Sequence, residues 1–476
     1  MSFMRSGNSR GGYAPRRGRG GSTRPFVKRQ EPVKPDLDKY PLGELLLTLR
    51  PSDLMPPTTG LPSSPHINDC QYVTSYNWLA SQDRTILVPG QPPKWTPPKV
   101  AQRLPEDSGS YYRDPNAARY PEYPIAPAVQ AVMDATDDAP IDADVFACGS
   151  TLGNLLRFTR GMDRAFRFNV ETIGDTVFLV RKENDPKELI EGVRGFGHTF
   201  PEAYTTWPKE VKGSETHQRI IQYDLGGLQC LVRFECDGFL DDSPAPNKLA
   251  PSTAKPPTAP PSEDILSQAL SSTTVTTPQT TSKQPLTILH TGTPIPQSSI
   301  FDLKTRSGRY NKTINMDDIT PQLWLKQVPN FIVAYHDGAG LFQPPQITDT
   351  RPLISAFETA NAEPIRRLIA LLTKIIDVAR ADDTRGLEVY CPGANALEIR
   401  RQFGDGVRAL PAALHAQWVA RCDGGGLALD GGDSGHGASP RGMGGKWSAS
   451  SDGEDDELDF TACSAEDCGY CGRCTY

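Results

Sequence analysis

Apolar and polar positions alternate with period two over Leu228–Leu240 (LQCLVRFECDGFL), which predicts a strand. Val232, Phe234 and Cys236 then share one face, and Arg233, Glu235 and Asp237 the other. The same alternation over Ser299–Arg306 (SIFDLKTR) puts Asp302 and Lys304 on one face and Phe301 and Leu303 on the opposite one. If the two strands are neighbours, three carboxylates and a lysine converge. Carboxylates in that number hold a hard divalent cation, and an ammonium beside them orients or deprotonates a water.

The same patterning places the other elements. Leu152, Leu155, Leu156 and Phe158 predict a helix entered from Gly149-Ser150-Thr151, with Ser150 or Thr151 as cap. Phe166–Val170 and Thr176–Val180 predict a hairpin around Gly174-Asp175. Trp324–His336 reads as a helix end and a buried strand. Pro364 suits the first turn of a helix carrying Ile365, Leu368, Ile369, Leu372, Ile375 and Ile376 on a core-facing stripe. Between Lys34 and about Pro124 prolines recur so often that few long helices or central strands are expected. That stretch reads as an irregular segment wrapped over the core, burying residues such as Tyr76, Trp78, Ile86 and Val88.

Composition divides the 476-residue chain unevenly, since 44 Pro and 42 Gly are too many for a uniformly packed globule. The net charge of −7 conceals a basic start, with eight Lys or Arg and no acid in the first 30 residues. Residues 1–33 read as a disordered Arg/Gly arm in which Arg16, Arg17, Arg19 and Arg24 are free to meet RNA phosphates. A wrapping segment at 34–141 is followed by a core at 142–240 and 284–400. The core is split by a Pro/Ser/Thr-rich insertion at 241–283, too poor in apolar residues to repay its ordering entropy. Such an insertion need not prevent the flanking strands from pairing, because loop-closure cost grows only logarithmically with length. A Gly-rich and acidic linker (401–460) leads to a four-cysteine tail at 461–476. No apolar run approaches a spanning helix, and the scattered remaining cysteines suit a reducing compartment, so an intracellular, nuclear or cytoplasmic protein is expected.

In the tail, Cys463, Cys468, Cys471 and Cys474 crowd four thiols into twelve residues, a spacing that ligates zinc tetrahedrally. An iron–sulfur site is the other reading of the first three. The arm and the tail are also candidate contacts for protein partners. His198 and His217 read as ordinary loop or core histidines.

The strand pair fits the PD-(D/E)xK nuclease pattern, and the order of elements resembles the decapping exoribonuclease family over roughly 142–380. The resemblance is carried by Gly149–Leu156, the hairpin, Gly195–Tyr204 (GFGHTFPEAY), Phe234-Glu235-Cys236-Asp237, Phe301-Asp302-Leu303-Lys304-Thr305, and Trp324 with Gln327. It implies an α/β fold with a mixed-sheet, restriction-endonuclease-like core, flanking helices and long disordered segments. It also implies a metal-dependent hydrolase acting on RNA 5′ ends, by decapping or 5′-to-3′ digestion. Glu202, Asp237, Asp302 and the Leu303 carbonyl would then hold Mg²⁺ or Mn²⁺. Glu235 would hold a second ion or its waters, Lys304 would orient the nucleophilic water, and Gln327 would complete the site. Gly149-Ser150 stands where the family has Arg-Gly, which leaves Arg157 or Arg160 to supply the phosphate contact. The competing reading is an inert RNA-binding or interaction protein on the same fold.

The whole chain also resembles a fungal family often catalogued as geranylgeranyl pyrophosphate synthetase. A polyprenyl diphosphate synthase needs two Asp-rich motifs on facing helices. The literal match, Asp455-Asp456-Glu457-Leu458-Asp459, lies in the acidic tail without a helical partner, and Phe166–Phe239 reads as strands.

Overall fold

Proline placement explains the first difference from expectation. No proline occurs between Pro65 and Pro89, and there β1 (Ile67–Leu79) runs thirteen residues as an interior strand of an eleven-stranded sheet. The prolines around it mark loops, so 34–124 supplies a long inner strand as well as wrapping. This computed structural model describes residues 34–54, 65–80, 84–136, 139–190, 193, 195–241, 285–308, 314–382 and 386–422.

The large sheet is mixed. After β2 (Val145–Cys148) the chain enters α1 (Gly149–Thr159), then the hairpin β3 (Phe166–Ile173) and β4 (Thr176–Arg181), turning at Gly174 with φ 58°. A short helix α2 (Thr199–Tyr204) precedes β5 (Ser214–Leu225) and β6 (Leu228–Glu235). Strand β2 lies parallel to β4 on one side and to β6 on the other, while β5 is antiparallel to both β6 and β1.

The chain then changes sheet. Cys236 still donates its N–H to the His217 carbonyl of β5, but β7 (Gly238–Phe239) belongs to a separate six-stranded sheet. There β7 pairs antiparallel with β8 (Ile300–Ser307), Gly238 opposite Phe301. Only glycine fits at 238: an added Cβ would lie 2.4 Å from Phe301 Cζ and 2.7 Å from the Pro93 carbonyl oxygen. From β8 the helix α3 (Met316–Lys326) crosses to β9 (Asn330–His336), which pairs parallel with β8, a βαβ unit. Thus the expected neighbours Leu228–Leu240 and Ser299–Arg306 meet through β7 and the residues flanking it, Asp237 and Leu240, and β6 itself stays in the other sheet.

The main core is one apolar cluster covering α1, α3 and the helix α4 (Ala362–Ala381). Ile365, Leu368, Ile369, Leu372, Ile375 and Ile376 of α4 are all buried as the stripe predicts, each worth roughly 1.5–3 kcal/mol. The architecture is mixed α/β, as expected, and is incompatible with the all-helical bundle of a prenyl synthase. No described helix is long and apolar enough to cross a membrane.

Candidate active site

The change of sheet after Cys236 turns Asp237 away from the face that Arg233 and Glu235 share, and toward β8. Its Oδ2 accepts the Leu303 N–H at 2.7 Å, which fixes the carboxyl beside Asp302. Burial, then the neighbouring Asp302 charge, pushes Asp237 up to about 8. Burial would raise Asp302 as well, but the charges of Lys326 and then Lys304 hold it below the ordinary carboxylate value. The two carboxyls titrate as a coupled pair, in which the charged form is disfavoured at Asp237 and favoured at Asp302. Two carboxyls kept together in the interior are costly unless something positive faces them.

Two lysines do. Lys326 Nζ stands 3.2 Å from Asp302 Oδ2, and Lys304 Nζ 3.8 Å from Oδ1. Among the described residues no donor reaches the buried Asp302 Oδ1 at hydrogen-bonding distance. Lys304 arrives as the strand pattern foresaw, whereas Lys326 was missed. A lysine in the last turn of a helix reads as a solvated cation favoured by the helix dipole, yet this one is only 3% exposed. Its signal was the apolar run Leu323-Trp324-Leu325 immediately before it. Gln327, the residue expected here, instead ends α3 in the left-handed region (φ 48°) and donates from Nε2 to the Trp324 carbonyl at 2.6 Å.

Arg233 and Glu235 line a separate, small polar cavity of roughly 20 Å³ with Arg113, Asp114, Arg181, Gln218 and Ser150. Arg233 donates to Gln218 Oε1 at 3.0 Å, and Gln218 donates on to Glu235 at 3.4 Å. Arg113 is held fork-on by Glu188, with both contacts at 2.9 Å, and Arg181 by Glu183. Three guanidinium groups thus meet near the start of α1, a setting suited to phosphate oxygens. Arg157 and Arg160, expected to supply this contact, do not line the cavity: Arg157 donates to Asn154, and Arg160 lies over the Phe357 ring.

Glu202 falls on α2, where Phe200 and Tyr204 take the buried face four residues apart. Two residues from each, Glu202 projects to the far side and is exposed. Among the described residues no three or more His, Cys, Asp or Glu side chains are placed to hold a metal ion, so Glu202 does not join Asp237 and Asp302 in such a group. The pair still fits a divalent cation in donor type, since Mg²⁺ is commonly held by one or two carboxylates, with waters and substrate phosphates completing the octahedron. In charge the fit is poorer, because two ammonium groups already face the pair.

Both histidines are structural, as expected. His198 stacks on Tyr111 at 3.5 Å, and burial lowers it to about 4. His217 is fully buried, its Nδ1 2.6 Å from Asn77 Oδ1, and burial with the nearby Arg219 charge lowers its pKa well below the usual value. The arm with Arg16, Arg17, Arg19 and Arg24, all but Asp241 of the 241–283 insertion, and Cys463, Cys468, Cys471 and Cys474 lie outside the described residues.

A family model described as a domain of unknown function, DUF8563, matches residues 52–395. No curated protein matches the sequence. Among solved structures the chain is similar to S. pombe Rai1, at 12% identity and TM-score 0.47, covering 75% of this chain and 99% of that one. It is similar also to Candida albicans Rai1 in complex with pU5-Mn²⁺, at 9% identity and TM-score 0.48, covering 79% and 100%. K. lactis Dxo1 in complex with manganese matches at 8% identity and TM-score 0.41, covering 76% and 99%.

Proposed function

The chain belongs to the DUF8563 family, and from the carboxylate–lysine centre within its matched residues we propose that it is a divalent-metal-dependent hydrolase acting on the 5′ ends of RNA. The observation that carries this reading is the convergence of Asp237, Asp302 and Lys304 where β7 meets β8. The guanidinium groups at the separate polar cavity, the order of the sequence motifs and the Arg/Gly arm favour a phosphorylated polynucleotide as substrate.

In this reading Asp237 and Asp302 hold Mg²⁺ or Mn²⁺, with the Leu303 carbonyl as a further ligand. When bound, the cation supplies an acidified water and polarises a phosphoryl oxygen. Lys304 positions the attacking water on the side of Asp302 Oδ1. Arg233, kept aimed by Gln218, meets a phosphate at the cavity, beside Arg113 and Arg181, which stay paired with Glu188 and Glu183. The Leu303 N–H holds Asp237 in place, so its carboxylate need not reorganise during the reaction.

A second reading, RNA-end binding without cleavage, is favoured by the exposure of Glu202 outside the carboxylate pair. Incubating the full chain with Mn²⁺ and with 5′-monophosphate or capped RNA separates the two. Hydrolysis that disappears in the double variant Asp302→Asn, Lys304→Ala supports the enzyme; binding without turnover supports the inert protein.

A further inference from the structure

Lys326 has no part in the scheme above, yet it makes the closest ion pair in the centre. It is buried, and its Nζ lies 3.2 Å from Asp302 Oδ2, while Lys304 faces the other oxygen at 3.8 Å. Both oxygens of Asp302 thus have an ammonium neighbour. A divalent cation seats itself about 2 Å from a carboxylate oxygen, so at Oδ2 it would share its ligand with a positive charge already in contact. The two ammonium groups already offset the negative charge of the carboxyl pair without any ion. Adding one to the same buried space would leave uncompensated positive charge there.

The backbone beneath Lys326 is pinned, which leaves the side chain as the part able to move. Gln297 Nε2 donates to the carbonyls of both Lys326 and Gln327, at 3.1 and 2.9 Å, and the Gln327 side chain closes on the Trp324 carbonyl. The ammonium sits on a flexible four-carbon stem.

We propose that Lys326 is a built-in competitor for the divalent cation at Asp302: the centre takes up metal only when this ammonium gives way, and metal affinity is held low until it does. The proposal rests on reading Asp237 and Asp302 as the cation's ligands. It assigns Lys326 a regulatory place at that site rather than a chemical step.

The test is Mn²⁺ binding to the full chain, followed by loss of the free-ion electron paramagnetic resonance signal, in wild type, K326Q and K326M. Folding of each variant is checked by thermal melting. Two replacements, one polar and one apolar, guard against either failing to fold. The expected result is at least tenfold tighter Mn²⁺ binding in a folded variant, abolished when Asp302→Asn is added. Unchanged or weaker binding in the folded variants overturns the proposal, as does a gain that survives Asp302→Asn. Hydrolysis of 5′-phosphorylated RNA, assayed in parallel, separates the two readings. Tighter Mn²⁺ without hydrolysis in any form removes the enzyme and keeps the competitor. Hydrolysis by a wild type that binds Mn²⁺ as tightly as the variants does the reverse.

Discussion

Two buried ion pairs in this molecule are built on opposite plans. In the large sheet, Arg167 and Glu388 are almost wholly enclosed, 2% and 0% exposed at the side chain, and their hydrogen-bonding groups are matched. Arg167 reaches Glu388 with Nε and Nη2, the Tyr40 carbonyl with Nη1 and the Pro41 carbonyl with Nη2, while Gly43 N–H takes the remaining carboxylate oxygen. In the second sheet, Asp237 and Asp302 confront each other, one Asp302 oxygen lacks a donor among the described residues, and two lysines supply charge on flexible stems. The first arrangement is complete and fastens the segment around Tyr40 to the sheet. The second has polar capacity left over, which a structural pair does not need and a reacting group does.

The largest effect expected from breaking this contrast is at the unfinished pair. Asp302→Asn should lower hydrolysis of 5′-phosphorylated RNA by about a thousandfold, the scale of several kcal/mol that a held cation supplies. Steady-state rates per folded molecule measure it. At the finished pair, Glu388→Ala should leave that rate unchanged and cost about 3–5 kcal/mol of stability in urea unfolding, because it strands a buried guanidinium. Next in size, Arg233→Ala should weaken binding of 5′-phosphorylated RNA by about tenfold in fluorescence anisotropy, the scale of one hydrogen bond to a charged group.

The smallest effect concerns a third kind of buried titratable group, one kept neutral. Burial, then Arg219, depresses His217 in the folded state, so below its unfolded pKa of 6.5 only the unfolded chain takes the proton. Its contribution is intact above pH 6.5 and is lost as pH falls, by about 1.4 kcal/mol per pH unit. Asp237, raised to about 8, acts with the opposite sign: its contribution is fullest below its unfolded value and is lost as pH rises toward 8. Comparing wild type with His217→Gln in urea unfolding from pH 6.5 to 5 isolates the histidine, and the variant should show the shallower decline.

How much of this was legible in the sequence follows from which forces are local. The hairpin around Gly174 and the α4 stripe are written in periodicity and glycine placement, and they formed where expected. The Asp302-x-Lys304 face was readable because β8 is regular from end to end. Alternation misled at Asp237, since the chain leaves β6 after Glu235 and re-pairs in another sheet, a change governed by the fit of Gly238 against Phe301. The long β1 was hidden by averaging over a proline-rich stretch with a proline-free interior. Lys326 was hidden because burial of a charge depends on its partner, and its partner Asp302 lies 24 residues away on another element.

The most direct measurement of the central claim is Mn²⁺-dependent release of product from 5′-end-labelled RNA by the full chain, with wild type and Asp302→Asn side by side. Turnover by wild type that requires Mn²⁺ and is lost in the variant is the predicted result. Equal turnover in both, or none in wild type with Mn²⁺ saturating, contradicts it.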